Sequence, residues 1–431
     1  MAPARGLVKR RVSAALVDRV ADEPVIALHG PRSVGKSTVL RAFADSHGVE
    51  VIDLDDIETR EAAIGNPAWF VTGQTPLCVD EYQRATDVLD AIKTRLNREG
   101  SRPGVAVITG STRQDALPQT AQALTGRLHT MTIWPLSQGE LAGDEENLLQ
   151  GLRDFPEAAV AQHPASGTTR VDYVSRACAG GLPLAVHRSE TTRARWFDDY
   201  LRQSVERDAA ELVRLRQRQS LTDLLRYSAA QTGQLLNITK AADSVGVERK
   251  TAEAHLRLLE DLFLVVRLPS WGKTLRSRVS ARPKIHVVDS GLAARLLRLA
   301  PAKLSAPTPS ALADFGNLLE TFVVGEIRKQ VSWLDEPVTV GHWRTSDGAE
   351  VDVVVEFDDG VVVAFEVKAN ERATGADFTG LKQLRDALGP RFGAGVVFTT
   401  GRRSFTYEDR LHVMPIDRLW QPIDIRSAPT L

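Results

Sequence analysis

A glycine-bounded loop set between an apolar run and an amphipathic run is the feature that most restricts what this chain can fold into. Pro24-Val25-Ile26-Ala27-Leu28-His29 is short, apolar and β-prone; Thr38-Val39-Leu40-Arg41-Ala42-Phe43 carries apolar residues at helical spacing. Between them stand Gly30, Pro31, Arg32, Ser33, Val34, Gly35, Lys36 and Ser37. A strand feeding a glycine loop that opens a helix aims backbone N–H groups and a helix N-terminus at a polyphosphate. Gly30 through Ser37, with Thr38 at the helix start, are therefore the candidate nucleotide contacts. Lys36 would reach the β- and γ-phosphates, and the Ser37 hydroxyl would hold Mg2+. A nucleoside triphosphate with Mg2+ is the ligand this arrangement implies, and with no guanine-reading motif in the chain ATP is the expected one.

At 431 residues the chain exceeds one ordinary core, and about two to four domains are expected. A hydrophobic content of 43% and a charged content of 25% are those of a soluble globular protein. No apolar run approaches a membrane span and the first residues lack a signal-peptide core, so the expectation is a cytoplasmic protein without a membrane partner. Cys78 and Cys178, the only cysteines, read as small core residues in a reducing compartment. A formal net charge of −1 gives no global basic field for nucleic acid. The segment Lys273 to Lys284 is the local exception, with five cations and no acid.

Three further strands follow the loop. Val51 to Asp55 is one, and Leu77-Cys78-Val79-Asp80-Glu81 is another, ending in two acids. That ending suits a first acid in the Mg2+ shell, Asp80, and a second that polarises the attacking water, Glu81. Val105 to Ser111 ends in Thr109 and Ser111, either γ-phosphate sensors or a plain strand exit. Arg127, ahead of the strand Leu128 to Trp134, could stabilise γ-phosphate charge as trans-acting arginines do, or be a surface cation. Ser137-Gln138-Gly139-Glu140 reads as a capping box opening a helix. Strand and helix alternate throughout, which implies a parallel sheet covered on both faces.

Over about the first 140 residues the chain resembles the archaeal-type AAA ATPases of the P-loop superfamily. The resemblance rests on the loop itself, Val79-Asp80-Glu81-Tyr82-Gln83, Thr109-Gly110-Ser111, and Gly126-Arg127 followed by Pro135-Leu136-Ser137.

The middle of the chain reads as helical. Charged helices from about Val171 to Arg218, interrupted by Gly180-Gly181-Leu182-Pro183, have the look of a lid or connector. Helices are then expected over Leu221 to Thr232, Ile238 to Ser244 and Glu248 to Phe263, the last two joined by Val245-Gly246-Val247. Short helix, glycine turn, longer helix is the outline of a helix-turn-helix; strands Leu264 to Val266 and Lys284 to Val288 follow, and the basic stretch Lys273 to Lys284 could form a wing. On DNA, Arg249, Lys250 and His255 would face the groove, with Arg276 and Arg278 on phosphates. The alternative is a winged helix used only for packing or oligomer contact.

Near the C-terminus, Gly348 to Val355 and Val361 to Lys368 flank an Asp358-Asp359-Gly360 turn, the strongest hairpin signal in the chain. Alternation places Glu366 and Lys368 on one face, with Asp352 on the neighbouring strand within reach. Two carboxylates and a lysine can hold a divalent metal, Mg2+ or Mn2+, and activate water against a phosphodiester. The helix Phe315 to Gln330 offers Glu320 as a further acid. Asp, then Glu-x-Lys fourteen residues on, resembles the restriction-endonuclease-like (PD-(D/E)xK) core, although Val351 stands where the motif has proline. Pro283 to Leu292, Gly316 to Glu320 and Glu366 to Lys368 resemble the C-terminal region that accompanies this ATPase type in a large prokaryotic family, where its function is undescribed. The resemblance implies metal ligands Glu320, Asp352 and Glu366, with Lys368 beside them.

The expected architecture is thus α/β: a P-loop ATPase domain over 1–150, a helical connector over 151–218, a winged helix over 219–285 and a restriction-endonuclease-like domain over 286–431. Two functions fit. One is an ATP-hydrolysing protein acting on DNA, its nucleotide state controlling a metal-dependent nuclease-like domain. The other is an ATP-driven switch or scaffold whose winged-helix and nuclease-like folds bind partners, including further copies of the chain, without cutting.

Overall fold

Strands buried on both faces must be apolar throughout, and the core strand of the N-terminal region obeys this: every residue of β1 (Val25–His29) is buried. In a computed structural model, which describes residues 7–111, 124–161, 164–205, 218–272, 282–306 and 308–423, β1 is joined by β2 (Val51–Asp53), β3 (Leu77–Asp80), β4 (Ala106–Gly110) and β5 (Leu128–Thr132). The five strands run parallel in the order β2-β3-β4-β1-β5. Leu28, Val39 and Leu40 belong to the core on one face, Ala27, Val79, Leu89 and Ile108 to the core on the other. Because β4 lies between β1 and β3, the chain ends leaving β1, β3 and β4 open into one crevice, where doubly wound sheets bind ligands.

The middle region is built from helices Arg170–Ala179, Glu190–Gln203, Arg218–Ala230, Ile238–Val245 and Arg249–Asp261. A three-stranded antiparallel sheet follows, in the order β6 (Gln234–Leu235), β8 (Lys284–Val287), β7 (Val265–Leu268). Gly246, at φ 70°, closes the 238–245 helix in the left-handed conformation that glycine adopts without steric penalty.

The C-terminal region is a mixed sheet of six strands. In spatial order these are β13 (Phe405–Glu408), β14 (Leu411–Pro415), β12 (Phe392–Thr399), β11 (Val362–Val367), β10 (Glu350–Phe357) and β9 (Val338–Arg344). β10 and β11 form the hairpin across Asp358-Asp359-Gly360, with Val353 opposite Phe365. One face of this sheet (Val351, Val354, Ala364, Val397) packs on the helix Thr379–Leu388. The other (Val353, Val355, Phe365, Phe398) shares a continuous core with the middle helices and with the long helix Pro309–Ser332. Trp271 N donates to the His342 carbonyl (2.6 Å) and His342 N to the Pro269 carbonyl (2.9 Å), joining the end of β7 to β9.

Both cysteines are free and buried, and burial pushes their thiols up to about 12, as small core residues require. Among the described residues no helix is long and apolar enough to cross a membrane.

Candidate functional sites

The phosphate loop leaves β1 at His29 and re-enters regular structure at Lys36, the first residue of the helix Lys36–His47. Gly35 precedes it at φ 98°, and Ser33 is also left-handed at φ 57°. Gly30 passes so close to the Ile133 carbonyl that a Cβ would collide with it. Lys36 is buried, and its Nζ donates to the carbonyls of Gly30 (3.0 Å) and Pro31 (2.9 Å). Ser37 is half-buried and Thr38 exposed beside it.

β3 and β4 bring the two acids to the same edge. Thr109 Oγ1 donates to Asp80, and Glu81 N donates to Thr109 Oγ1 (3.2 Å). Gln83 Nε2 donates to the Glu81 carboxylate and to Ser111 Oγ (3.1 Å). Glu81 holds a left-handed backbone, φ 55°, an uncommon conformation for a residue with a Cβ. Burial raises its pKa, while the Lys36 charge works the other way. A carboxyl moved up in this manner is better suited to a proton on an attacking water than an exposed one.

Arg127 falls elsewhere. β5 pairs with β1 so that Leu128 lies opposite Val25, at the end of the sheet remote from the loop, and Arg127 donates to Asn97 Oδ1 (2.6 Å). Within one chain it does not reach the phosphate site.

Arg10 had no signal of its own in the sequence, yet it braces the loop. Its Nη1 donates to the Val34 carbonyl (2.8 Å), Nη2 to the Trp134 carbonyl (2.7 Å) and Nε to Glu140 Oε1 (3.0 Å). Glu140 closes the capping box with Ser137, whose Oγ donates to Glu146 Oε1 (2.5 Å). The next backbone N–H, that of Gln138, donates to Glu326 Oε2 (2.8 Å) on the 309–332 helix. Glu326 is fully buried and takes Lys329 Nζ (2.6 Å), which also donates to the Leu136 carbonyl (3.0 Å). An unbroken polar chain thus runs from the phosphate loop into the helix that carries Glu320.

At the C-terminal cluster the expected residues do meet. Val367 N donates to Asp352 Oδ2 (2.9 Å) and Lys368 Nζ to Glu366 Oε1 (2.7 Å), on the wall of a cleft of about 600 Å3. The centre of the acids is Lys284. Its Nζ lies 2.8 Å from Asp352 Oδ1, 2.9 Å from Glu320 Oε1 and 2.6 Å from Glu350 Oε1, and the side chain is 2% exposed. Burial works against that charge, but Asp352, Glu320 and Glu350 outweigh it, and the net effect raises the Lys284 pKa. Burial foremost, then Asp352, pushes Glu366 up to about 8 and lifts Glu320 well above the usual carboxylate range. The ligand set expected for a metal does not fit one as it stands. A divalent ion among these oxygens would face an ammonium already using them. At 2.6 to 2.9 Å around that ammonium they stand wider than the roughly 2.0–2.1 Å of Mg2+, so that as placed no three His, Cys, Asp or Glu side chains among the described residues are grouped to hold a metal ion.

One expectation on the middle helices also changes. His255 is buried against Ser220 Oγ (3.4 Å) and faces the core, because it falls on the apolar stripe of Ala252, Leu256 and Leu259; Arg249 and Lys250 are exposed. Arg276 and Arg278 lie outside the described residues.

Comparison with known proteins gives three matched stretches. Residues 22–142 match the family model described as AAA domain, residues 170–303 a domain of unknown function (DUF8612) and residues 315–419 a second domain of unknown function (DUF4143). With its parallel sheet and loop, the N-terminal region is an AAA-type, ATPase-like P-loop domain. Over 421 residues the chain is 27% identical to uncharacterized proteins of Mycobacterium tuberculosis (Rv2008c) and Mycobacterium bovis (Mb2031c), covering 96% of this chain and 85% of each relative. Among solved structures, the Walker-type ATPase of Pyrococcus abyssi aligns at TM-score 0.41 and 15% identity, over 68% of this chain and 96% of that one. The ORC1 protein of Aeropyrum pernix in complex with DNA aligns at TM-score 0.23 and 16% identity, over 67% and 90%.

Proposed function

We propose that the chain is an ATP-binding and ATP-hydrolysing switch whose nucleotide state is passed to a C-terminal restriction-endonuclease-like module that engages a partner without cutting nucleic acid in the state described here. The polar chain from Val34 through Arg10, Glu140, Ser137, Gln138 and Glu326 carries this reading, because it ties the loop to the 309–332 helix through buried, charge-assisted hydrogen bonds. Glu320 and Glu326 lie six residues apart on that helix, about 9 Å along its axis. A rigid helix moved at one end moves at the other.

In the phosphate site, Gly30 to Thr38 would hold ATP, with Lys36 on its β- and γ-phosphates. Mg2+ would sit between Ser37, Asp80 and the nucleotide and supply charge neutralisation there. Glu81, poised by Gln83, would orient the attacking water. Positioning and electrostatics supply nearly all of the catalysis in such a reaction.

Lys284 is what favours a non-cleaving module over the nuclease-control reading. With the acids engaged by an ammonium, the oxygens that a water-activating metal would need are already taken. The 218–287 region would serve as a winged helix, presenting Arg249 and Lys250 to DNA or to a partner.

The test is ATP turnover by the wild type against Lys36→Ala and Glu81→Gln, run beside a cleavage assay on duplex and single-stranded DNA with Mg2+ or Mn2+. Turnover lost in both variants, with no cutting by the wild type, is the expected result. Absence of nucleotide binding by wild-type protein sinks the ATPase reading. Cutting that disappears in Asp352→Ala sinks the non-cleaving one and restores nuclease control.

A further inference from the structure

Lys284 is an unusual occupant for its position. Three carboxylates from separate places, Glu320 on the long helix and Glu350 and Asp352 on β10, converge on one Nζ at 2.6 to 2.9 Å. Two of its N–H donors go to Glu320 and Asp352, and Glu350 adds a close ion pair. Convergent carboxylate oxygens around one centre are what a hard divalent cation also takes. A fourth acid faces the same cleft with a spare atom: Glu366 Oε2 is buried and has no hydrogen-bond partner among the described residues, while the residue is 8% exposed. A buried carboxylate oxygen without a donor is costly to leave so, and this one belongs to a residue lining the same cleft as Lys284, Glu320, Glu350 and Asp352.

The cation and the acids also belong to different sheets. Lys284 stands on β8, held between β6 and β7; Glu350, Asp352 and Glu366 stand on β10 and β11. The two sheets meet at the short Pro269–Trp271 and His342 junction.

We propose that Lys284 is a built-in substitute for a divalent metal: its ammonium fills the cation position of the Glu320–Glu350–Asp352–Glu366 cluster and excludes Mg2+-class ions. The cluster becomes a metal site, with Glu366 Oε2 as an added ligand, only when β8 withdraws the lysine. This deepens the non-cleaving reading of the C-terminal module and does not depend on ATP turnover, so the test is made without nucleotide.

The experiment titrates full-length protein with Mn2+ and reads free Mn2+ by its EPR signal, comparing wild type, Lys284→Met, Lys284→Met/Asp352→Ala and Lys284→Arg. Wild type and Lys284→Arg are expected to take up no Asp352-dependent ion. Lys284→Met, similar in length but uncharged, is expected to gain one Mn2+ per chain, lost again when Asp352→Ala is added. Should Lys284→Met be unstable alone, the comparison is read as melting temperature, with Mn2+ raising it only while Asp352 is intact. Asp352-dependent Mn2+ binding by the wild type overturns the proposal. So does a folded Lys284→Met that takes up no ion, or an unstable one that Mn2+ does not stabilise. Loss of ATPase activity in a separate assay would leave the titration, and this proposal, untouched.

Discussion

Two buried lysines, one in each candidate site, do opposite things with one charge. Lys36 in the phosphate loop donates to two neutral carbonyls, those of Gly30 and Pro31, and its charge also acts on the Glu81 carboxylate. Lys284 in the C-terminal cluster is held by three carboxylates, and none of its charge is left over. The first site is prepared for an anion, while the second is closed to a cation. A lysine's partners, more than its burial, decide whether it serves a ligand or the fold.

Removing each lysine should separate them most sharply. Lys284→Ala strands three acids in the interior, and loss of one partner of a buried ion pair costs about 3–5 kcal/mol. At about 2–4 °C per kcal/mol this is a fall in melting temperature of roughly 6 to 20 °C, checked by calorimetry without nucleotide. Lys36→Ala should barely move that melting temperature yet slow ATP turnover by about a hundred- to a thousandfold, as loss of a charge-stabilising donor does. Equal destabilisation by the two variants would erase the distinction.

The polar chain between the sites carries its own pH signature. Burial pushes Glu146 up to about 7 from an ordinary 4.5. A carboxyl raised on folding contributes stability that is full below its unfolded pKa and is lost as pH rises through the folded value. The wild type should therefore lose roughly 3 kcal/mol between pH 4.5 and about 7.5 from this group, at about 1.4 kcal/mol per pKa unit. Glu146→Gln should flatten that part of the curve in urea titrations at several pH values; an unchanged slope would place the titration elsewhere.

Cutting the chain at Glu326→Gln should leave turnover near wild type while weakening any ATP-dependent change in protease sensitivity at Lys368 by about 0.5–2 kcal/mol of coupling. The smallest expected effect is at the exposed pair Arg249 and Lys250. If the middle region contacts DNA phosphates, the double alanine variant lowers the salt slope of binding by about 2, measured by fluorescence anisotropy. No change in slope assigns that surface to another partner.

How much was legible beforehand differs along the chain. The phosphate loop, the two acids after β3 and the Ser137 capping box are local patterns, written within a few consecutive residues by backbone geometry. Their elements could be read directly. The β10–β11 hairpin was equally readable, because Asp358-Asp359-Gly360 sets the turn and alternation sets the face. His255 was misplaced because a helix has two faces, and only the packing of Leu256 and Leu259 decided which was inside. Arg127 carried no local sign of which end of its strand it would occupy, and the parallel pairing of β5 with β1 puts it at the end remote from the loop. Lys284 sat in a stretch that read as a basic run suited to phosphates, and turned inward because acids from 36 to 68 residues away were waiting for it. Arg10 had no motif at all; its three partners lie from 24 to 130 residues along the chain.

The sequence by itself determined the phosphate-binding loop, the parallel sheet that presents it and the set of acids and lysine near the C-terminus, since hydrophobic period and turn chemistry are properties of neighbours along the chain. Tertiary structure alone decided what those acids surround and how the two ends are joined. Charge compensation in a buried cluster is a property of neighbours in space, and no local pattern records which distant cation will arrive to satisfy it.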